Sequence, residues 1–489
     1  MPAVPNRIAP QGLVRELARL VGPEHALEVP PGSEYNRDLS RRRGVEGRAD
    51  AVALPGTPEE VREVLAWCYE HDVPLTPRGG GTGLTGGAAP VEGGVVCSLE
   101  RLRGMRELDP ARWRMFPEAG VHTRDVQRLA REHGLFFAPD PGAAEQSQIG
   151  GNVATNAGGP HALKYGVTGS WVAGMEVVLA PGELVDIGGW QAKDVAGYDL
   201  RSLLVGSEGT LGIITAVRLR LLPAPAVALP VVAFLSDREQ GCGAVEQILG
   251  SGLRPSVLDF LEGEALSLLA ASYPGAPTGP GSGGESVPAG AGFALIAEVD
   301  GSREEAEAQR EELLGILGGL VVRVDEPADP AALWRWRDGV NGVLTGVRGA
   351  KVSEDVVFPR ERLAEGLEGF ERIAAAHGLR SCSFGHAGDG NVHATVLVDP
   401  SRVQELDAAD AIGEELFGLV VELGGSIAGE HGVGWSKRGR LESQWPRRAV
   451  ELHEQIKGVF DPKGLLNPGK KLARYPARSP LHKARKEGR

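Results

Sequence analysis

Cysteine is scarce in this 489-residue chain: Cys68, Cys97, Cys242 and Cys382 lie far apart and form no C-x-x-C pair. That spacing speaks against a disulfide framework and a Cys-ligated iron–sulfur cluster, and it fits a reducing compartment. Long apolar runs are missing too. None approaches the ~18 residues of a membrane span, and no charged stretch followed by an apolar core opens the chain. A cytoplasmic location is the expectation, with any membrane association made through a partner. Basic residues are outnumbered, 52 Lys and Arg against 65 Asp and Glu, giving a net charge of −13. Such a balance disfavours nucleic acid and anionic membranes, which require clustered cations. The local exceptions, Arg41 to Arg43 and the tail from Arg474 to Arg489, read as solvated segments.

Glycine, by contrast, is abundant: 70 Gly stand beside 34 Pro, more than ordinary globular usage. The chain is too long for one core, so at least two domains are expected. Thr57-Pro58-Glu59-Glu60 ahead of Val61, Val64, Leu65 and Cys68 supplies an N-cap, an N1 proline, first-turn acids and helical spacing. Strands are expected over 73–76 and 95–99, on either side of a long glycine loop. Short β-branched runs such as 176–179 and 212–222 follow, until Pro223, Pro225 and Pro230 mark a boundary. Beyond it, helical patterns over 303–317, 360–377 and 403–423 alternate with strands over 294–299 and 392–398, an α+β lobe. A stretch over 273–292, rich in Gly, Pro, Ala and Ser, reads as a mobile surface loop.

The first glycine loop, Pro77 to Gly87, contains Gly81-x-Gly83-x-x-Gly86, a formal match to the dinucleotide fingerprint. That fingerprint requires a helix to begin inside the loop, facing the pyrophosphate. Gly86, Gly87, Pro90, Gly93 and Gly94 prevent one here. The run of backbone N–H groups nevertheless suits a diphosphate. A second polar glycine loop, Gln148 to Gly159, carries amides and hydroxyls fit for a flavin's heteroatom edge. A third, Val205 to Ile214, leads into a strand.

With PRGGGTGLTGG, GGNVATNAGGPHALKYG, GYDLRSLLVGSEGTLGIIT, HAGDGNVH, GEHGVG and DPKGLLNPGK in this order, the chain resembles the FAD-linked oxidases of the vanillyl-alcohol oxidase superfamily. The likeness is to the branch that holds D-lactate dehydrogenase, D-2-hydroxyglutarate dehydrogenase and the FAD-linked subunit of glycolate oxidase, over about residues 50–471. It implies an α+β fold: a two-part FAD-binding domain over 1–223, a substrate domain with an antiparallel sheet over 224–464, and a return to the flavin domain over 465–489. It further implies that Arg78, Gly79, Gly80, Gly81, Thr82 and Gly83 wrap the FAD diphosphate. Gly150, Asn152, Thr155 and Gly158 would line the cofactor, Glu208 and Ile213 would complete its adenine and ribose side, and Asn467 would return to it. Some relatives attach FAD through a histidine in the first loop; Thr82 stands in that neighbourhood, so noncovalent FAD is expected.

The segment His386-Ala-Gly-Asp389-Gly390-Asn-Val-His393 carries a two-residue hairpin signal at Asp389-Gly390. Counting outward pairs His386 with His393, on one side and about 5 Å apart at Cβ. Two imidazoles so placed suit a divalent transition metal, zinc foremost, with a third oxygen ligand and one position open to substrate. Glu430 of Gly429-Glu430-His431 is the chosen third ligand, and the resemblance points the same way. Oxidising a 2-hydroxy acid moves a hydride from C2 to the flavin and removes the hydroxyl proton. His431 is the candidate general base. The substrate carboxylate needs a cation; Arg337 and Lys351 match positions where relatives hold substrate, with Arg335 as a substitute for Arg337.

The expected activity is therefore FAD-dependent oxidation of a small D-2-hydroxy acid. Two other readings stand beside it: a nicotinamide-linked Rossmann dehydrogenase, and a non-catalytic flavin-binding or electron-relay subunit, which predicts a degraded metal motif. With no cluster of its own, the enzyme must reoxidise its flavin through O2, a quinone, a cytochrome or a partner. An iron–sulfur or second flavin subunit is the expected partner, and a homodimer the other candidate assembly.

Overall fold

The computed structural model describes residues 10–275 and 286–472. The low-complexity stretch thus lies partly, and the tail from Arg474 wholly, outside the described residues.

Near the N-terminus the helix Pro58–Glu70 forms where the capping pattern places it, the Thr57 side chain accepting from Glu60 N. It buries Val61, Val64, Leu65 and Cys68 against a four-stranded sheet. In that sheet Leu75–Arg78 and Ala51–Ala53 both run parallel to Val95–Ser98, and Ala26–Leu27 closes the edge. Residues 79–94 contain no helix, so the Rossmann geometry is absent at this loop. The chain comes back late: Leu75 N donates to Leu465 O and Asn467 N to Leu75 O, and Leu465 and Leu466 enter the same core. A second, five-stranded antiparallel sheet holds Ile213–Arg220 between Arg114–Pro117 and Val172–Leu179.

The larger sheet has seven strands, all antiparallel: Arg323–Asp325, Val227–Leu235, Phe293–Gly301, Val257–Glu262, Arg380–His386, Asn391–Val398 and Ala350–Val357 in spatial order. Because strand side chains alternate, it has two distinct faces. Leu258, Phe260, Leu295, Val392, Ala394 and Val396 pack under the helices Arg238–Gly250, Arg303–Leu317, Leu363–Ala376 and Val403–Glu422. The opposite face is apolar at Leu261, Ile296, Cys382 and Phe384, against the helices Gly263–Leu269, Pro330–Asp338 and Val340–Arg348. Further along, the same face turns ionisable, with Asp259 opposite His386 and Asp355 opposite His393. None of the helices described is long and apolar enough to cross a membrane.

The segment after the second glycine loop docks the two halves. His161 pairs with Asp140 at 2.6 Å and with Glu298 of the large sheet at 3.2 Å, while Lys164 and Tyr165 both reach Asp300. Burial opposes a charge on His161, but the two carboxylates outweigh it and hold its pKa well above the usual imidazole value. The resulting stabilisation is complete below the unfolded-chain pKa of about 6.5 and is lost as pH rises through the raised folded value. His161→Gln is therefore expected to cost most, about 1–3 kcal/mol, near pH 6 and progressively less towards alkaline pH. Denaturant midpoints of both proteins across that range check it; a gap independent of pH would remove the charged histidine from the account.

Candidate active site

The first glycine loop is shaped by its neighbours. A Cβ at Gly80 would fall on the backbone carbonyl of Gln146, and one at Gly81 on the Arg78 guanidinium. Gly81 also has φ +67°, a left-handed conformation that favours glycine. Arg78 is held from the other side, Nη1 donating to Arg37 O at 2.7 Å. Leu39 N donates to Gly83 O, and Thr82 lies between these anchored residues. The cradle thus comes within backbone contact of residues 146–151, and Gln148 Oε1, buried and without a hydrogen-bond partner, lies 3.6 Å from where a Gly79 Cβ would stand. An unfilled acceptor beside a wall of glycine fits a ligand with N–H and phosphate groups. Gly80→Ala has no rotamer through which to relieve its clash with backbone, so FAD binding is expected to weaken about tenfold or more. The ratio of flavin to protein absorbance in the purified variant measures it, and full occupancy would contradict the cradle.

The second loop is corrected. Ile149–Thr155 is a short helix ended by Asn156 in a left-handed conformation. Helical rotation divides the residues that an extended loop would present together. A Cβ at Gly150 would press on Ala119, and Asn152 donates to Thr123 Oγ1, so both face the interior. Gly151 opens onto free space, while Thr155, one turn on, donates back to Gly151 O. At three other expected cofactor residues the side chain is engaged within the protein. The Glu208 carboxylate is taken up by Val433 N at 3.0 Å and Gly434 N at 2.6 Å, which makes it a clamp between the halves. Asn467 spends its amide hydrogens on Gly87 O and Glu208 O. The Ile213 side chain lies in the apolar core with Leu75 and Val95.

Gly158 lies against the other half of the chain, where a Cβ would stand 2.9 Å from Glu430 Oε2. There His386, His393 and Glu430 converge, one ligand atom of each lying within 4.8 Å of the others. The expected hairpin register is off by two. Ala387–Asp389 forms a 3-10 turn closed by left-handed Gly390, and His386 lies opposite Asn391, His393 opposite Phe384. An even shift leaves each side chain on its face, so the imidazoles still meet, ring centres 5.6 Å apart. Glu430 Oε1 is 3.6 Å from Nε2 of each histidine.

Burial disfavours a charge on Glu430, but His386 beside it prevails and lowers its pKa to about 2. His393 is lowered to about 3, chiefly by burial. For His386 burial is again opposed, and Asp259 raises it to about 10. Asp259, on a strand far away in sequence, is the residue that motif reading missed: Oδ1 lies 2.6 Å from His386 Nδ1 and Oδ2 lies 2.6 Å from Arg337 Nε. Arg337 Nη2 is buried without a hydrogen-bond partner, a donor able to take an anion, whereas Arg335 sits at the surface near Asp329. Lys351 lies along the same sheet face, bonded to Asn341 and Ser353. His431 stacks on His393 at 5.2 Å, and its carbonyl accepts from Thr85 of the first glycine loop.

A glycine-walled cradle on one sheet, with an ionisable face of a second sheet closed over it, defines a two-part flavoprotein oxidoreductase. The chain belongs to the FAD-linked oxidases: residues 49–188 match the FAD binding domain and residues 224–471 the C-terminal domain of FAD linked oxidases. FAD is its cofactor. It is 36% identical to glycolate oxidase subunit GlcD of Bacillus subtilis over 94% of this chain and 96% of that one. With D-lactate dehydrogenase of Anaerostipes hadrus the identity is 33%, over 95% and 98%. The fold matches that of 4-ethylphenol oxidase from Gulosibacter chungangensis, with TM-score 0.76 and 19% identity over 97% of this chain and all of that one.

Proposed function

We propose that the chain oxidises a small D-2-hydroxy acid to the 2-oxo acid. The observation that carries this reading is the meeting of His386, His393 and Glu430 with Gly158, a residue of the flavin half. The relatives named glycolate oxidase subunit and D-lactate dehydrogenase support it.

FAD, when bound, supplies the acceptor for the hydride that leaves C2. A divalent cation such as zinc, when held by His386, His393 and Glu430, supplies Lewis acidity towards the substrate oxygens; two imidazoles and a carboxylate are a donor set that suits it. The chain's own residues do the rest. Arg337, through its unfilled Nη2, binds the substrate carboxylate and orients the molecule, with Lys351 as a second cation along the same face. His431 takes the hydroxyl proton at Nε2, the ring atom directed at Glu430. The contacts of Thr85 with His431, Trp435 and Ser436 keep the two halves together over the reacting carbon. Reoxidation falls to a partner, for which an iron–sulfur or second flavin subunit is the class of choice.

An anaerobic panel of D- and L-2-hydroxy acids tests the reading. D-isomers are expected to bleach the visible flavin absorbance, and prior chelation to slow bleaching by at least about tenfold. If no member of the panel bleaches the flavin, the substrate class is wrong.

A further inference from the structure

Among the described residues, two groups of side chains are close enough to grip an ion, and they share a residue: His386, His393 and Glu430 form one, Asp355, His393 and His431 the other. We infer that Asp355 is no ligand but the positioning residue of the first group, an inference that rests on reading that group as a metal site.

The carboxylate is already engaged on both sides. Asp355 Oδ2 accepts from three consecutive backbone N–H groups, those of Gly429, Glu430 and His431, at 2.8, 3.0 and 3.0 Å. Oδ1 accepts from Asn391 Nδ2 at 2.8 Å. Only 1% of the residue is exposed, so four donors fill most of its lone pairs and leave little for a cation. Three amides converging on one anion make a rigid nest. That matters because residues 428–436 lie outside any helix or strand. Without the clamp, Glu430 and His431 would depend on an irregular loop for their placement.

His393 is served by the same carboxylate. It lies opposite Asp355 in the strand pairing. Its Nδ1 is buried without a hydrogen-bond partner and faces Asp355 Oδ1 at 3.9 Å. With Nε2 turned to a cation, Nδ1 carries the hydrogen, and Asp355 is the carboxylate behind it. Asp259 stands in that relation to His386, already at 2.6 Å. Each histidine thus has its own carboxylate, and Glu430 hangs from one of the two through its backbone. Two neighbours bring the parts together. Lys437 Nζ joins Asp355 O to Ile427 O at 2.6 and 2.7 Å. Gly429 lets the turn approach, since a Cβ there would stand 2.7 Å from Asp355 Oδ1 and collide with Asn391 Nδ2.

The test compares wild type, Asp355→Asn, Gly429→Ala and the ligand variant Glu430→Gln, each as the FAD-loaded full chain. Affinity is measured for Zn(II) by chelator competition, and for Co(II) through its visible spectrum. Asp355→Asn turns an amide towards donors in either rotamer; Gly429→Ala lifts the turn away while keeping the carboxylate. Both are expected to retain flavin and to bind metal about 10- to 100-fold more weakly, with an altered Co(II) band and a lower kcat at similar KM. Should Asp355→Asn fail to fold, Gly429→Ala alone decides. Wild-type affinity and an unchanged Co(II) band in the variants would overturn the positioning role and leave the metal site standing. A wild type that takes up neither metal, indistinguishable from Glu430→Gln, would overturn the metal reading and this inference with it.

Discussion

His431→Asn is expected to purify yellow, to bind metal as wild type does, and to turn over about 10²- to 10⁴-fold more slowly. Retention of the cofactor follows from what the imidazole does not touch. The cradle is built from Arg78 to Gly83 and the helix Ile149–Thr155, and the tie between His431 and Thr85 runs through the backbone carbonyl. The backbone N–H stays bound to Asp355 whatever the side chain. What is lost is an imidazole stacked on His393, with Nε2 3.8 Å from Glu430 Oε1. In the proposed reaction that imidazole takes the hydroxyl proton of a substrate held by Arg337, and an amide in its place accepts no proton near neutral pH. Stopped-flow reduction of the bound flavin by a D-2-hydroxy acid isolates the step. The loss must appear in the limiting reduction rate; a wild-type rate would withdraw the general-base role.

Much of this architecture was legible where local signals govern. The capping pattern at Thr57 and the periodicities over 303–317 and 403–423 became helices with nearly those bounds, because a stripe of apolar residues at helical spacing needs only its own few turns to be read. The histidine pair was legible for a weaker reason. The proposed hairpin turn was too short, but the error was even, and parity alone decides which face a strand side chain takes. Segment 148–159 shows the converse. Its glycines and amides suggested a loop, whereas tertiary packing of Ile149 and Val153 made a helix, which turned Gly150 and Asn152 inward. Asp259 and Asp355 were out of reach. The first lies 127 residues from its histidine, and neither sits in a motif. Only strand order in the large sheet brings them behind His386 and His393, and strand order is a non-local property.

That non-local support sets the largest expected effect on stability. Asp259 is wholly buried and serves two partners, the Arg337 guanidinium through Oδ2 and His386 Nδ1 through Oδ1. Burial alone would raise its pKa, yet Arg337 foremost and then His386 keep it below the ordinary carboxylate range. Removing the carboxylate leaves the Arg337 charge buried and unopposed, at about 3–5 kcal/mol. Asp259→Ala is therefore expected to lower the denaturant-derived stability by that amount. It should also raise KM for the hydroxy acid, because Arg337 loses the anchor that points Nη2 at the substrate. The two consequences separate in a second variant. Asp259→Leu combined with Arg337→Met replaces the ion pair by apolar groups of similar bulk, so most of the stability should return while turnover does not. A single variant within about 1 kcal/mol of wild type would mean that this carboxylate is screened by water, and the low dielectric on which the site's charge arrangement depends would have to be abandoned.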